Sequence, residues 1–334
     1  MQAQSFLIAL SAIGFLNAAE KLRLFKSLMS MAGQDPLGAL ELLGQCSYGQ
    51  IERLSKRALG RRLLEKSWNA PLLLKRSNFA EKVCKTLGIQ MALLGGSDFP
   101  PLLRLIHDPP FALYYRGSLA PLFGKTVSVV GTRRLSPDGK RAAHDFGYQA
   151  ASAGLCVVSG LAWGADGQAH KGTIDAFFDQ KTLGVQTAAV LAGGVDSIFP
   201  ASHRSMAAKI IQNGGAILSE CPPCVPAEKW RFVQRNRIIA ALSPATVVIQ
   251  APPGSGAMLT AEFALGYNRD LFFHQACFSP AAMEISRAVE NRLVAQEESS
   301  AERKLEASPQ RYVEAGAQVV RDYQGFSQFL APLT

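Results

Sequence analysis

Where the stretch VSVVGTRRLSPDGKR (residues 127–141) leaves its apolar run, it passes through Gly131, Thr132 and Arg133. A glycine there lets backbone N–H groups approach an anion, and a guanidinium can grip a phosphate with two hydrogen bonds. Small or polar residues recur at the ends of four more apolar runs, as Ser159-Gly160, Gly193-Gly194, Ser219-Glu220 and Gly254-Ser255-Gly256. One such glycine is ordinary turn chemistry, whereas the repetition predicts a crevice whose bare amides hold phosphate. The dinucleotide pattern GxGxxG does not follow Val130, and GxxxxGK[ST] is absent. A standard NAD enzyme and a P-loop ATPase are therefore disfavoured.

The second constellation is EKWRFVQRNRIIAAL (residues 228–242), in which Lys229, Arg231, Arg235 and Arg237 interleave with Trp230 and Phe232. Phosphates call for cations and splayed bases for flat π-surfaces, so the interleaving suits a track for single-stranded nucleic acid. On composition alone the same residues also suit core aromatics with arginines that cap neighbouring elements. Charge and aromaticity extend the track to Lys171, Lys229 and Trp230. Cys221 and Cys224 form a CxxC without a second ligand pair, which argues against zinc. Asp166 and His170 share a helical face, where His170 is expected to be a hydrogen-bonded pin rather than a catalyst.

These residues need a scaffold, and the hydrophobic pattern supplies one. Short β-branched runs occur at TVSVVG, LCVVSG, TAAVLAGG, AILSE, ATVVIQA and LFFHQ, separated by stretches able to form helices. The first five recur at about thirty residues, the size of a βαβ unit, which predicts a mostly parallel α/β sheet over residues 125–278, doubly wound with helices on both faces. In such sheets ligands bind outside the carboxyl ends of the strands, where the unusual residues stand. Residues 1–85 read as a small helical domain, with AAEKLRLFKSLMSM and GQIERLSKRALGRRLLEKSW broken by AGQDP and Pro71. Arg53, Lys56, Arg57, Arg61, Arg62 and Lys66 on the second helix are expected to form a solvated face. Residues 86–124 are expected to be a connector packed on the core, and 279–334 a polar linker followed by a closing segment.

Of the 334 residues, 48% are hydrophobic and 18% charged, which excludes a disordered chain. No apolar stretch reaches the roughly 20 residues of a membrane span. The N-terminal SFLIALSAIGFLNAAE imitates a signal peptide, but no Lys or Arg precedes Lys21, so a buried helix of a cytoplasmic protein is expected. Six cysteines without dense spacing agree with a reducing compartment. The net charge of +9 is unevenly placed: +7 over residues 1–124, +4 over 125–278 and −2 over 279–334. A basic front two-thirds suits a polyanionic partner.

The ordered series VVGTRR, VVSGLAWGADGQAH, AVLAGGVDSIFPASH, LSECPP, RFVQRNRIIAALS and GSGAMLTAEFAL closely resembles the DNA-processing protein A family, DprA or Smf. DFPPLLRLIHDPPFALYYRGSL resembles the segment that precedes the family's nucleotide-binding-like domain, so the likeness covers about residues 90–275. The resemblance implies an extended Rossmann-like fold, single-stranded DNA as ligand, assistance in loading the RecA recombinase during natural transformation, a homodimer, no cofactor and no catalytic turnover. By position, Gly131, Thr132 and Arg133 resemble the family's phosphate-gripping Gly-Ser-Arg, which Ser159 and Gly160 would complete. Arg235, Asn236 and Arg237 match its Arg-Asn-Arg, and Ser255, Gly256 and Thr260 its Ser-Gly-Ser-x-x-Thr. His203 replaces the family's Asn, FHQA (residues 273–276) replaces Val-Pro-Gly, and the family's frequent winged helix is not expected. The enzymatic alternative is the related LOG phosphoribohydrolases, whose Pro-Gly-Gly-x-Gly-Thr-x-x-Glu is loosely similar to PPGSGAMLTAE ending in Glu262.

Overall fold

A computed structural model describes residues 4–56, 68–295 and 299–329. The six β-branched runs all form strands: β3 (Thr126–Val130), β4 (Cys156–Ser159), β5 (Thr187–Val190), β6 (Ala216–Ser219), β7 (Ala245–Val248) and β8 (Asp270–His274). Among the described residues they belong to a nine-stranded sheet completed by β1 (Gln90–Leu93), β2 (Ala112–Gly117) and β9 (Gln318–Val320), in the order β1-β2-β6-β5-β4-β3-β7-β8-β9. From β6 to β9 the pairings are parallel. From β3 the chain winds outward through β4, β5 and β6, then returns to place β7 on the other side of β3. The strand order therefore reverses between β3 and β7, where α/β sheets place ligands.

Period-two alternation divides the core. Val127, Val129, Val157 and Val247 face α7 (Pro137–Ser152) and α8 (Ala165–Phe178), whereas Val130, Val158, Val190 and Val248 face α10 (Lys229–Ala241) and α11 (Gly256–Gly266). Burial on both faces explains why the strands read as continuous apolar runs. The mostly parallel, doubly wound sheet is the α/β architecture expected.

The stretch expected to lie on the core as a connector enters the sheet instead. β1 and β2 pair with each other, and β2 with β6, in antiparallel sense. Towards the other edge, the closing segment supplies β9, preceded by α12 (Pro280–Val294), α13 (Ser299–Glu306) and α14 (Pro309–Glu314). Part of the expected polar linker is thus helical, and Ala307, the residue after α13, pins the β7 side by accepting at its O from the Gly254 N–H at 2.9 Å.

The N-terminal module comprises α1 (Gln4–Ser11), α2 (Ala18–Met31), α3 (Pro36–Gln45), α4 (Tyr48–Ser55) and α5 (Ala70–Leu87). Helix α2 coincides with AAEKLRLFKSLMSM and opens with a capping box: Asn17 Oδ1 accepts from Glu20 N at 2.9 Å, and Glu20 Oε2 from Asn17 N at 2.7 Å. Pro71 sits in the first turn of α5, where no N–H is missed. Phe6, Leu24, Leu28 and Leu43 form one apolar cluster with Tyr114, Leu191 and Ile217, so the module's core is continuous with that of the sheet. Arg57, Arg61, Arg62 and Lys66 lie outside the described residues. No described helix is long and apolar enough to cross a membrane.

Candidate nucleic-acid interface

The turn after β3 is held by its neighbours. The Thr132 N–H donates to Gln250 O at 2.6 Å, and the Ala165 N–H donates to Thr132 O at 3.2 Å. A Cβ on Gly131 would stand 2.6 Å from Ala165 Cβ and 2.9 Å from Gln250 O. Close packing of α8 and β7 therefore requires this glycine. Gly164, with φ of +79°, fills the same need from the other side, since its Cβ would meet Arg133 Cα at 2.7 Å. The Gln250 side chain closes the β3–β7 cleft: it accepts from Ser136 N at 3.1 Å and donates to Ser136 Oγ and Ala276 O, both at 2.8 Å.

The expected row of bare amides is narrower in the structure. At the end of β4, Ser159 Oγ is buried and donates to Val129 O at 2.6 Å, and the Gly160 N–H donates to Asp166 Oδ2 at 3.2 Å. At the end of β5, the Gly194 N–H donates to Val225 O at 2.9 Å, and a Cβ on Gly193 would meet Val225 O at 2.7 Å. Both glycines let the loop after β6 pack against them. Gly254 lies under Lys304 of α13, and Gly256 O accepts from Asn236 Nδ2 at 3.0 Å and from Thr260 Oγ1 at 3.2 Å. Ser255 is the N-cap of α11, and among the described residues its buried Oγ has no partner.

Arg235 is the centre of the arrangement. It is 5% exposed, and its Nη1 donates to Gly160 O at 2.6 Å and to Val190 O, the carbonyls at the ends of β4 and β5. Among the described residues its Nε has no acceptor, and no carboxylate comes within ion-pair distance. Burial lowers its pKa to about 10; Asp166 opposes that shift and Arg133 adds to it. Burial raises the Asp166 carboxyl, against the pull of Arg235 and the N–H groups of Ala162 and Gly160. Arg133 is exposed, and its guanidinium lies 5.4 Å from the centre of the Phe232 ring, with that of Arg235 at 5.8 Å. Two guanidinium groups thus share one ring where the strands end.

Aromatic rings extend this surface. Phe199 meets Phe232 edge-on at 5.8 Å and is half exposed. Trp163, also half exposed, donates from Nε1 to Ser202 Oγ at 3.0 Å. Trp230 is 49% exposed beneath Arg231, whose guanidinium stands 4.1 Å from its ring. The sequence reading did not single out Trp163 or Phe199, because exposure of an aromatic leaves no trace in its spacing. Lys229 is exposed at the first position of α10, and Lys171 is exposed one turn along α8 from Gly167, against which His203 packs. His203 itself donates from Nδ1 to Leu161 O at 2.9 Å.

Arg237 is placed elsewhere. It donates from Nη1 to Asp108 O at 2.8 Å and pairs with Glu220, which ties α10 to the segment between β1 and β2. Glu220 is raised by burial against the pull of Arg237 and Lys21. His170 is the expected pin: Thr187 Oγ1 gives its proton to Val157 O at 2.6 Å, so His170 Nδ1 must donate to it at 2.8 Å. Burial holds His170 down at about 3, in the neutral form. Cys221 is buried, Cys224 is exposed, and neither is bridged. Glu262, the acid that the LOG alternative requires, lies 3.6 Å from Arg303.

Comparison with known proteins bears on the same residues. The family model for DNA recombination-mediator protein A matches residues 90–330. Protein Smf of Borreliella burgdorferi is 34% identical over 205 residues, 61% of this chain and 63% of that protein. DNA processing protein DprA of Bacillus subtilis is 34% identical over 55% of this chain and 60% of its own length, and Protein Smf of Escherichia coli 38% identical over 52% and 45%. The matches thus span about half to two-thirds of those curated relatives. The fold is that of DNA processing protein A from Streptococcus pneumoniae, with a TM-score of 0.67 and 23% identity over 98% of both chains. DNA processing protein A from Helicobacter pylori, described for its single-stranded DNA binding mode, aligns with a TM-score of 0.55 and 25% identity over 72% of this chain and 95% of that one. On the extent of the family match, this chain belongs to the DNA recombination-mediator protein A family of DNA-processing proteins, DprA or Smf.

Proposed function

We propose that this chain binds single-stranded DNA across the surface around Phe232, through phosphate contacts and stacked bases rather than sequence readout. The observation that carries the proposal is the pair of guanidinium groups of Arg133 and Arg235 on one ring, the second buried without a carboxylate partner. Like charges so placed repel, and a phosphate beside them relieves that repulsion while accepting charge-assisted hydrogen bonds. The Helicobacter pylori relative's single-stranded DNA binding supports the choice of polyanion. Arg133 and the Thr132 hydroxyl contact phosphate, with Arg235 beneath them. Phe232, Phe199, Trp163 and Trp230 offer faces for bases, and Lys171 and Lys229 extend the track. Gly131, Ser159, Gly160, Asn236, Ser255, Gly256 and Thr260 give the crevice its shape. Arg237 acts through the fold.

Binding is the whole activity in this proposal, with no cofactor and no bond made or broken. The family resemblance adds a cytoplasmic homodimer that hands the strand to the RecA recombinase during uptake of foreign DNA. Gel retardation with matched single- and double-stranded oligonucleotides over a salt series tests the core of it. Retention of the single strand, weakening as salt rises, is expected. Equal retention of the duplex, or none of either, overturns the proposal. Faster RecA assembly on the bound strand is expected, and unchanged assembly removes that role.

A further inference from the structure

Helix α5 carries two stripes. Ala70, Ser77, Ala80 and Cys84 are buried. Leu72, Lys75, Arg76, Phe79 and Lys82, spaced by three and four, line one wall of a groove of about 1160 Å³. The opposite wall is the loop at residues 220–226 with Trp230 and Arg231 from the first turn of α10. Phe79 is 60% exposed and Trp230 49%, so each wall presents a large ring to solvent. The groove's charge is one-sided. Among the described residues Lys75, Arg76 and Lys82 have no carboxylate within ion-pair distance, and the one acid lining the groove, Glu220, is held by Arg237. Trp230 stands two residues before Phe232 on α10, about 200° around the helix, so the groove and the Phe232 surface flank the start of that helix on different sides and one strand reaches both by passing around its first turn.

From these features we infer that the groove takes further nucleotides of the same unpaired strand, with Phe79 and Trp230 as stacking platforms and Lys75 and Arg76 on the phosphates. The inference rests on the single-stranded DNA reading of the Phe232 surface. Flat rings serve any base, and cations without acids suit a polyanion. The helical module thereby becomes one wall of the binding track. Neither the family motifs nor the interleaved cluster at residues 228–242 includes any residue of α5.

Fluorescence anisotropy with labelled oligothymidylates of about 6 and about 20 nucleotides separates the groove from the Phe232 surface, since the shorter strand fills one of them only. Phe79→Ala is expected to weaken the long strand by about 5- to 150-fold, the loss of one stacked base, and to leave the short strand unchanged. Phe79→Tyr keeps the π-face and retains long-strand affinity. Lys75→Ala with Arg76→Ala lowers the long-strand salt slope by about 1.4. Exposure of Phe79 keeps its replacement from unsettling the fold, which an unchanged urea midpoint verifies. Wild-type affinity of Phe79→Ala for the long strand, or an equal loss for both lengths, overturns the inference while leaving the Phe232 surface in place. Competition by polyglutamate as strong as by unlabelled oligothymidylate assigns the groove to acidic polypeptide and also overturns it. Arg133→Ala is expected to weaken both lengths; if it weakens neither, the Phe232 reading fails, and the groove inference with it.

Discussion

Gly160→Ala isolates the contact at the centre of the site. A Cβ at this position would stand 2.5 Å from Cζ and 2.6 Å from Nη2 of Arg235, where unbonded carbons rest at about 3.5–4.0 Å. The buried guanidinium must retreat by about 1 Å. Its bond to Gly160 O, 2.6 Å long, then stretches beyond hydrogen-bonding range, and the bond to Val190 O is strained with it. Hydrogen bonds to a charged donor contribute roughly 1.5–3 kcal/mol each, so the expected cost is about 3–5 kcal/mol. A domain of ordinary stability, about 5–15 kcal/mol, remains folded after that loss. Urea unfolding followed by circular dichroism measures it, with Gly256→Ala as the reference. At Gly256 the nearest atom to a new Cβ is Asn236 Nδ2 at 3.9 Å, an ordinary contact, and the change there should stay within about 0.5 kcal/mol. A double-mutant cycle with Arg235→Ala should give a coupling of about 2 kcal/mol or more, because the added methyl has nothing to displace once the guanidinium is gone. Gly160→Ala as stable as Gly256→Ala, or strict additivity with Arg235→Ala, refutes the packing of Arg235 beneath Gly160.

Two further outcomes follow from the buried ionisable groups. His170 has an ordinary value of 6.5 when unfolded and about 3 when folded, so the folded state binds fewer protons between those limits and stability rises with pH across that window. Acidification from pH 6.5 to about 5 should cost about 2 kcal/mol through this group, read from urea midpoints, and His170→Asn should remove that part of the slope; an unchanged slope contradicts the burial. Arg237→Ala should destabilise the fold by about 2 kcal/mol, less than a fully buried pair because Glu220 keeps some exposure, and should leave the DNA salt slope unaltered. A slope reduced by about 0.7 would place Arg237 on a phosphate instead.

The scaffold was legible because both faces of the central strands are covered, which makes each strand a short apolar run whose spacing records the βαβ repeat. β2 escaped because its place in the sheet is set by β6, about a hundred residues away, and β1 because it joins the sheet only through β2; local periodicity records neither pairing. At the site, residue types were legible and their neighbours were not. Gly131 and Gly160 marked the strand ends correctly, but the partners that need the space are Ala165, Gln250 and the Arg235 side chain. Arg235 and Arg237 are two positions apart in one motif, yet one packs under a strand end and the other reaches Asp108 and Glu220. On a helix such a spacing points the side chains in different directions, so the family motif mixes two roles. The rings of Trp163 and Phe199 went unnoticed because apolar side chains are usually core, and only the fold shows which are left in solvent.

The most direct test of the account is the salt dependence of single-stranded DNA affinity for the wild type and Arg133→Ala, measured by anisotropy on one oligothymidylate. Arg133 is exposed and has no acid partner among the described residues, so its removal should leave the fold intact while subtracting one phosphate contact. The slope of log affinity against log salt should fall by about 0.7, with affinity itself reduced at every salt concentration. Superimposable lines for the two proteins would contradict the claim that the paired guanidinium groups at Phe232 hold the DNA backbone.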